Sequence, residues 1–141
     1  MKLELITLDG VKLDQEVYEV TLPTADGEIT VLPGHQPLVT LAVPGVITVL
    51  RGKHDSKELA DVFATNGGVV EISPDKIKVL VDEADAAEEI QETEAQAALE
   101  RARKMKKDAK SLVDLNEAQA LIDRHSVRLK VAGLRSRRRH H

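Results

Sequence analysis

A chain of 141 residues has room for one ordinary domain, or for a small domain with an appendage. It has no cysteine, which excludes disulfides, thiolate metal sites and a cysteine nucleophile together, and suits a reducing cytoplasm. The net charge of −4 conceals an asymmetry: residues 1–100 carry 7 Lys and Arg against 20 Asp and Glu, a net of −13, and residues 101–141 carry 13 against 4, a net of +9.

The basic end, with its run Arg135-Ser136-Arg137-Arg138-Arg139, raises nucleic-acid binding as a first idea. Tyr18 and Phe63 are the only aromatic residues and both lie far from it, so bases would find no stacking platform. An acidic protein surface is the expected partner. The N-terminal run Met1-Lys2-Leu3-Glu4-Leu5 lacks the apolar core of a signal peptide, and no stretch approaches the roughly 20 apolar residues that span a bilayer. Membrane association is therefore expected only through a partner, without direct insertion.

Up to residue 84 the pattern is that of short strands, at 3–8, 17–22, 28–32, 38–43, 46–50, 61–65, 69–72 and 76–81. Alternation is clearest in Lys76-Ile77-Lys78-Val79, where apolar 77, 79 and 81 oppose charged 76 and 78. Asp9-Gly10, Asp26-Gly27, Arg51-Gly52 and Ser73-Pro74-Asp75 mark turns. About ten residues per strand predicts an all-β unit over 1–84, a sandwich or barrel. Between the strands at 28–32 and 38–43 lies Pro33-Gly34-His35-Gln36-Pro37, a pre-shaped corner: Pro33 fixes its own φ, Gly34 admits a left-handed backbone, and Pro37 keeps Gln36 extended. Gly67-Gly68 sits between two strand-like runs with no helix start behind it, and reads as a bulge or tight bend, not as a phosphate loop.

From residue 85 the period becomes helical. Ala95, Ala98, Ala102, Met105, Ala109 and Leu112 form one seam, and Leu115, Ala118, Ile122, His125, Leu129 and Ala132 a second, which predicts a helical hairpin over 85–133. Asp114 and Glu117 suggest a capping box for the second helix, and Gly133 its end. The alanine-rich first seam buries little area, so the hairpin is expected to detach and re-dock. Residues 134–141 are left as a basic tail, in which His140 and His141 resemble the stub of a purification tag. His125 has no second ligand at i±4 and reads as a packing residue. Ser56, Ser73, Ser111, Ser126 and Ser136 lack a nearby His and acid except at His125-Ser126, whose side chains diverge by about 100° on a helix. Catalysis by this chain alone is not expected.

The run Gly27-Glu28-Ile29-Thr30-Val31-Leu32-Pro33-Gly34-His35-Gln36-Pro37-Leu38-Val39-Thr40, followed by Pro44-Gly45-Val46-Ile47, resembles the epsilon subunit of F-type ATP synthases. So do Phe63-Ala64-Thr65-Asn66-Gly67-Gly68-Val69-Val70-Glu71-Ile72 and Val79-Leu80-Val81-Asp82-Glu83-Ala84, and the resemblance covers nearly the whole chain. It implies an N-terminal β-sandwich that binds the gamma subunit and sits on the ring of c subunits, with Glu28, Pro33, Gly34 and His35 at the rotor interface. It also implies a C-terminal hairpin whose basic face, Arg124, Arg128 and Lys130, meets an acidic segment of the catalytic beta subunit and restrains ATP hydrolysis. The protein would be a non-catalytic central-stalk subunit coupling proton-driven rotation to ATP synthesis, peripheral on the cytoplasmic face of a bacterial cell membrane. The alternative is an ATP-sensing module. Family members that bind ATP carry an Ile-Asp-x-x-Arg-Ala motif, where this chain has Ile90-Gln91-Glu92-Thr93-Glu94-Ala95. The acid is neutralised and the arginine replaced by a carboxylate. Arg124 and Arg128 match the family's second-helix arginines and remain the candidates for weak ATP binding, so no cofactor is expected.

Overall fold

In a computed structural model the chain is described over residues 1–139, with side chains as far as Leu134. His140, His141 and the side chains of the basic run at 135–139 lie outside the described residues. Ten strands precede two helices: β1 (Lys2–Thr7), β2 (Gly10–Glu16), β3 (Glu19–Thr24), β4 (Gly27–Val31), β5 (Leu38–Ala42), β6 (Gly45–Leu50), β7 (Asp61–Thr65), β8 (Gly68–Ser73), β9 (Lys76–Val81), β10 (Ala84–Ala86), α1 (Glu92–Asp108) and α2 (Leu112–Arg139). The strand order is β10-β7-β6-β3-β5-β8-β9-β1-β2, with β4 also paired to β3. The junction β3–β5 consists of the single pair Thr24↔Ala42, so the sheet folds there into the two layers of the expected sandwich.

Alternation decides which face of each strand is inside. Ile77, Val79 and Val81 of β9, Leu3 and Leu5 of β1, and Val70 and Ile72 of β8 enter a core completed from the other layer by Val20, Leu22, Ile47, Val49 and Phe63. Gly67-Gly68 is the tight approach read from the sequence. Gly67 has φ +109°, and a Cβ on Gly68 would stand 2.0 Å from the Leu80 carbonyl oxygen.

Strand β7 departs from alternation, with Val62, Phe63, Ala64 and Thr65 all buried. Phe63 faces the sandwich core, while Val62 and Ala64 face a second cluster with Ala87, Ile90, Ala95, Val131 and Ala132. The hairpin is thus folded against the outside of β6 and β7, and α2 makes most of the contact.

The helices differ from their expected limits in three ways. The run 85–91 is not α-helical: β10 pairs with β7 (Ala84↔Thr65, Ala86↔Phe63), and a 3-10 turn, Ala87–Glu89, follows. Helix α2 begins at Leu112 because Ser111 Oγ accepts the Asp114 N–H at 3.1 Å; Asp114 is inside the first turn and is not the cap. The helix also continues through Gly133 to Arg139, since nothing there supplies the left-handed turn a glycine stop requires. Within the hairpin Leu99 is buried, in register with Ala95 and Ala102, whereas Met105, Leu112 and Leu115 are exposed. The seam is tight near the sandwich and opens toward the tip.

Candidate functional sites

The corner after β4 is a type II turn. His35 N–H donates to the Leu32 carbonyl oxygen at 3.2 Å, with Pro33 and Gly34 (φ +84°) in the middle positions. Gly34 N–H donates to the Pro74 carbonyl at 2.8 Å, which pins the turn to the β8–β9 connection. Nδ1 of His35 donates to the Gln36 carbonyl at 2.8 Å, which ties the ring to the turn. Glu28 is exposed on β4, opposite Pro23 of β3. All four residues expected at an interface therefore belong to one edge built from β4 and the turn that follows it.

Beside this edge the outer face of the β5-β8-β9-β1-β2 layer presents a row that sequence reading missed. Cross-strand register aligns Leu41↔Val69, Val69↔Leu80, Leu80↔Ile6 and Ile6↔Val11, so five apolar side chains cross five strands in line. Leu41 and Val11 are 60% and 65% exposed, and Val39, one step along β5, is 72% exposed. An ordered apolar band of this extent has the character of an interaction surface. The next row, Glu71, Lys78, Glu4 and Asp14, is charged, which sets a polar rim beside the band.

The second site lies where the hairpin meets the sandwich. Arg124 Nε donates to Glu83 Oε1 at 2.6 Å, and Arg128 pairs with Asp85. Lys12 of β2 pairs with Glu89 in the 3-10 turn, whose carboxylate also accepts the Ala86 N–H at 3.2 Å. Lys130, about 200° around the helix from Arg128, is exposed and lies apart from the two arginines. Arg124, Arg128 and His125 line a cavity of about 430 Å³ together with Gln91, Glu94 and Arg101. Glu92 and Glu94 stand in the first turn of α1, where they favour the helix dipole, a structural reason for the acids in this run.

Charge in this cleft is tuned by burial. Desolvation pushes the Asp85 carboxyl up, against the opposing pull of Arg128, and Glu83 and Glu89 add to the rise. His125 is held below the usual imidazole value by burial and then by Arg124, Arg128 and Arg101, with Glu83 acting weakly the other way. Its Nδ1 is buried without a hydrogen-bond partner. Glu89 is lowered, chiefly by its hydrogen bond to Lys12. Glu83 and Asp85 carried no expected role from sequence, yet a pattern was there: residues two apart on an extended chain are about 6.6 Å apart, and residues four apart on a helix about 6 Å. Glu83 and Asp85 therefore match the spacing of Arg124 and Arg128.

Comparison with known proteins places this architecture. The family described as ATP synthase, Delta/Epsilon chain, beta-sandwich domain matches residues 1–87. The ATP synthase epsilon chain of Herpetosiphon aurantiacus is 35% identical over 138 residues, 98% of each chain. That of Chloroflexus aggregans is 33% identical over 132 residues, 94% of this chain and 91% of its own. Among solved structures, a chain of the Euglena gracilis mitochondrial ATP synthase, OSCP/F1/c-ring in rotational state 1, shares a TM-score of 0.78 and 26% identity over 92% of this chain and 79% of that one. A chain of the Tetrahymena thermophila mitochondrial ATP synthase central stalk and c-ring has the same fold, with a TM-score of 0.59 at 15% identity. The chain belongs to the epsilon-chain family of F-type ATP synthases.

Proposed function

We propose that this protein is a non-catalytic central-stalk subunit that couples proton-driven rotation to ATP synthesis and, through α2, restrains ATP hydrolysis. The observation that carries the rotor role is the exposed apolar row from Leu41 to Val11, next to the stiff turn at Pro33-Gly34-His35. A sheet face with that pattern suits an apolar strip of the gamma subunit, and the edge carrying Glu28 and His35 suits the ring of c subunits. The relatives named as epsilon chains and the Euglena assembly support this reading. No helix of the described residues is long and apolar enough to cross a membrane, in keeping with peripheral attachment through the complex, on the cytoplasmic face of a bacterial cell membrane.

A second reading, nucleotide sensing, has the arginine-lined cavity in its favour. The carboxylates of Glu89 and Glu94 share that cavity, and Arg124 and Arg128 are already engaged by Glu83 and Asp85. Braking through an acidic segment of the beta subunit fits the charge of Arg124, Arg128 and Lys130 better than phosphate binding does.

The test is capture of the gamma subunit by the full chain. Val11→Lys with Leu41→Lys should abolish co-purification while leaving the melting temperature nearly unchanged, because both side chains are solvent-exposed. Glu28→Lys with His35→Ala should leave gamma bound and weaken retention on the c ring. Undiminished gamma capture by the double lysine variant would overturn the assignment of this face.

A further inference from the structure

The two arginines of α2 that suit an external acidic surface are occupied inside the molecule. We propose that Glu83 and Asp85 form an internal latch, a surrogate acidic surface for Arg124 and Arg128, so that hairpin release is a competition between these two carboxylates and acidic groups brought from outside, without nucleotide. The latch deepens the braking role proposed above, but its existence is a property of the isolated chain.

Three observations carry it. The pairs join elements 41 and 43 residues apart, the end of the sandwich and the middle of α2, so they form only when the hairpin is folded. The extended spacing of Glu83 and Asp85 matches the helical spacing of Arg124 and Arg128, which lets both close in one docking pose and neither close after a shift of one helical residue. The remaining contact is apolar, four alanines among seven Val, Ile and Leu side chains; being non-directional, it draws the hairpin onto the sandwich without fixing the pose, which the two ion pairs set.

The arginine and carboxylate side chains of both pairs keep part of their surface in water, between 20% and 38%. An outside carboxylate can therefore reach the guanidinium before the internal pair has fully separated, and exchange of partners leaves no charge buried alone at any stage. A deeper pair would be locked, and a fully exposed one would hold nothing. Lys12 and Glu89 pair the 3-10 turn to β2, so the connector remains seated on the sandwich when α2 leaves.

The test is hydrogen exchange by mass spectrometry on the isolated full chain, following amides of α2 at 127–134 with sandwich amides as the internal control. Glu83→Gln with Asp85→Asn should accelerate exchange in that segment on the order of tenfold and leave β1, β8 and β9 protected. A glutamate-rich peptide should accelerate exchange in the parent chain and do little further in that variant. Glu83→Arg alone should open the hairpin, and adding Arg124→Glu should restore protection, which loss of packing would not do. Parent-like exchange in Glu83→Gln with Asp85→Asn, or failure of the swapped pair to recover, would overturn the latch. None of these readouts depends on gamma, beta or the c ring, so a negative result here is distinct from failure of the rotor assignment.

Discussion

Arg128 meets Asp85 across 43 residues of sequence, and the carboxyl it meets is raised, not lowered. Burial outweighs the ion pair at this position, so the contact is a half-dehydrated junction whose strength depends on protonation. His125 lies in the same cleft and is faced by Arg101 from α1, by Arg124 and Arg128 on its own helix, and by Glu83 from the sandwich. Glu89 and Glu94 line the adjoining cavity.

The pH dependence of hairpin docking follows in sign. The closed state favours the neutral His125 ring, while an exposed ring titrates near 6.5. Closed-state stability is therefore complete above 6.5 and falls as pH drops below it, levelling off once the enclosed ring is itself protonated. Asp85, raised above its ordinary 3.8 by burial against the pull of Arg128, is the weaker half of the latch, so the loss in Glu83→Gln with Asp85→Asn comes chiefly from the Glu83–Arg124 pair. Amide exchange of α2, corrected for intrinsic rate, should quicken between about pH 7.5 and 5. His125→Gln should flatten that limb, and an imidazole resonance titrating at or above 6.5 in the parent would contradict the assignment.

Two glycines should respond to alanine with opposite signs. A Cβ at Gly68 meets the Leu80 carbonyl oxygen at 2.0 Å and the Val81 Cα at 2.8 Å, both backbone atoms of the neighbouring strand. Gly68→Ala should destabilise the sandwich by on the order of 2 kcal/mol or prevent its folding. A Cβ at Gly133 meets nothing within 4 Å, and the residue lies inside α2. Gly133→Ala should stabilise the helix by roughly 0.5–1 kcal/mol. Urea denaturation of the two variants, each against the parent, checks both signs.

How far the sequence reveals this molecule depends on how local the determinants are. Lys76-Ile77-Lys78-Val79 shows its two faces within four residues, and the turn at Pro33-Gly34 is set by its own φ values, so both were legible. β2 was not, because Lys12, Asp14 and Glu16 leave only Val11 and Leu13 as apolar alternation on an edge strand. The apolar row from Leu41 to Val11 needs the register of five strands before it exists as a row. The Glu83 and Asp85 latch required knowing that α2 folds back onto the sandwich, a fact carried by Val127 and Val131 on a side of the helix outside the seam read from spacing. The seam itself came out one residue off, Ala98 for Leu99, since both lie within the stripe that a 3.6-residue period allows.

Nucleotide affinity should be low. Gln91 and Glu94 line the cavity beside Arg124 and Arg128, so a phosphate would meet a carboxylate and would have to displace two internal ion pairs. Isothermal titration of the full chain with ATP should give no binding tighter than about 1 mM, near 4 kcal/mol. Gln91→Asp with Glu94→Arg should strengthen it. Micromolar binding by the parent chain would restore the sensor reading.

The braking role and the latch together predict effects of opposite sign from the two halves of one ion pair. If Arg124 and Arg128 restrain hydrolysis by meeting an acidic surface of the beta subunit, Arg124→Ala with Arg128→Ala removes both the latch and the external contact: the hairpin is free but has nothing to grip with, and hydrolysis should rise. Glu83→Gln with Asp85→Asn removes the latch and leaves the arginines intact, so more of the population reaches the external surface and hydrolysis should fall. The two partly exposed pairs together are worth roughly 1.4 kcal/mol, so the shift in population on losing both should be on the order of tenfold when the two states are near balance. Lys130→Ala, altering an exposed residue outside the latch, should relieve inhibition mildly without changing docking in the isolated chain. Both carboxylate and arginine effects should shrink as salt shortens the screening length from about 10 Å at 0.1 M to 3 Å at 1 M. The measurement is steady-state hydrolysis by complexes reconstituted at matched subunit content. Rates that move in the same direction for the two double variants would separate the arginines from any braking contact and leave the hairpin as a structural coupler.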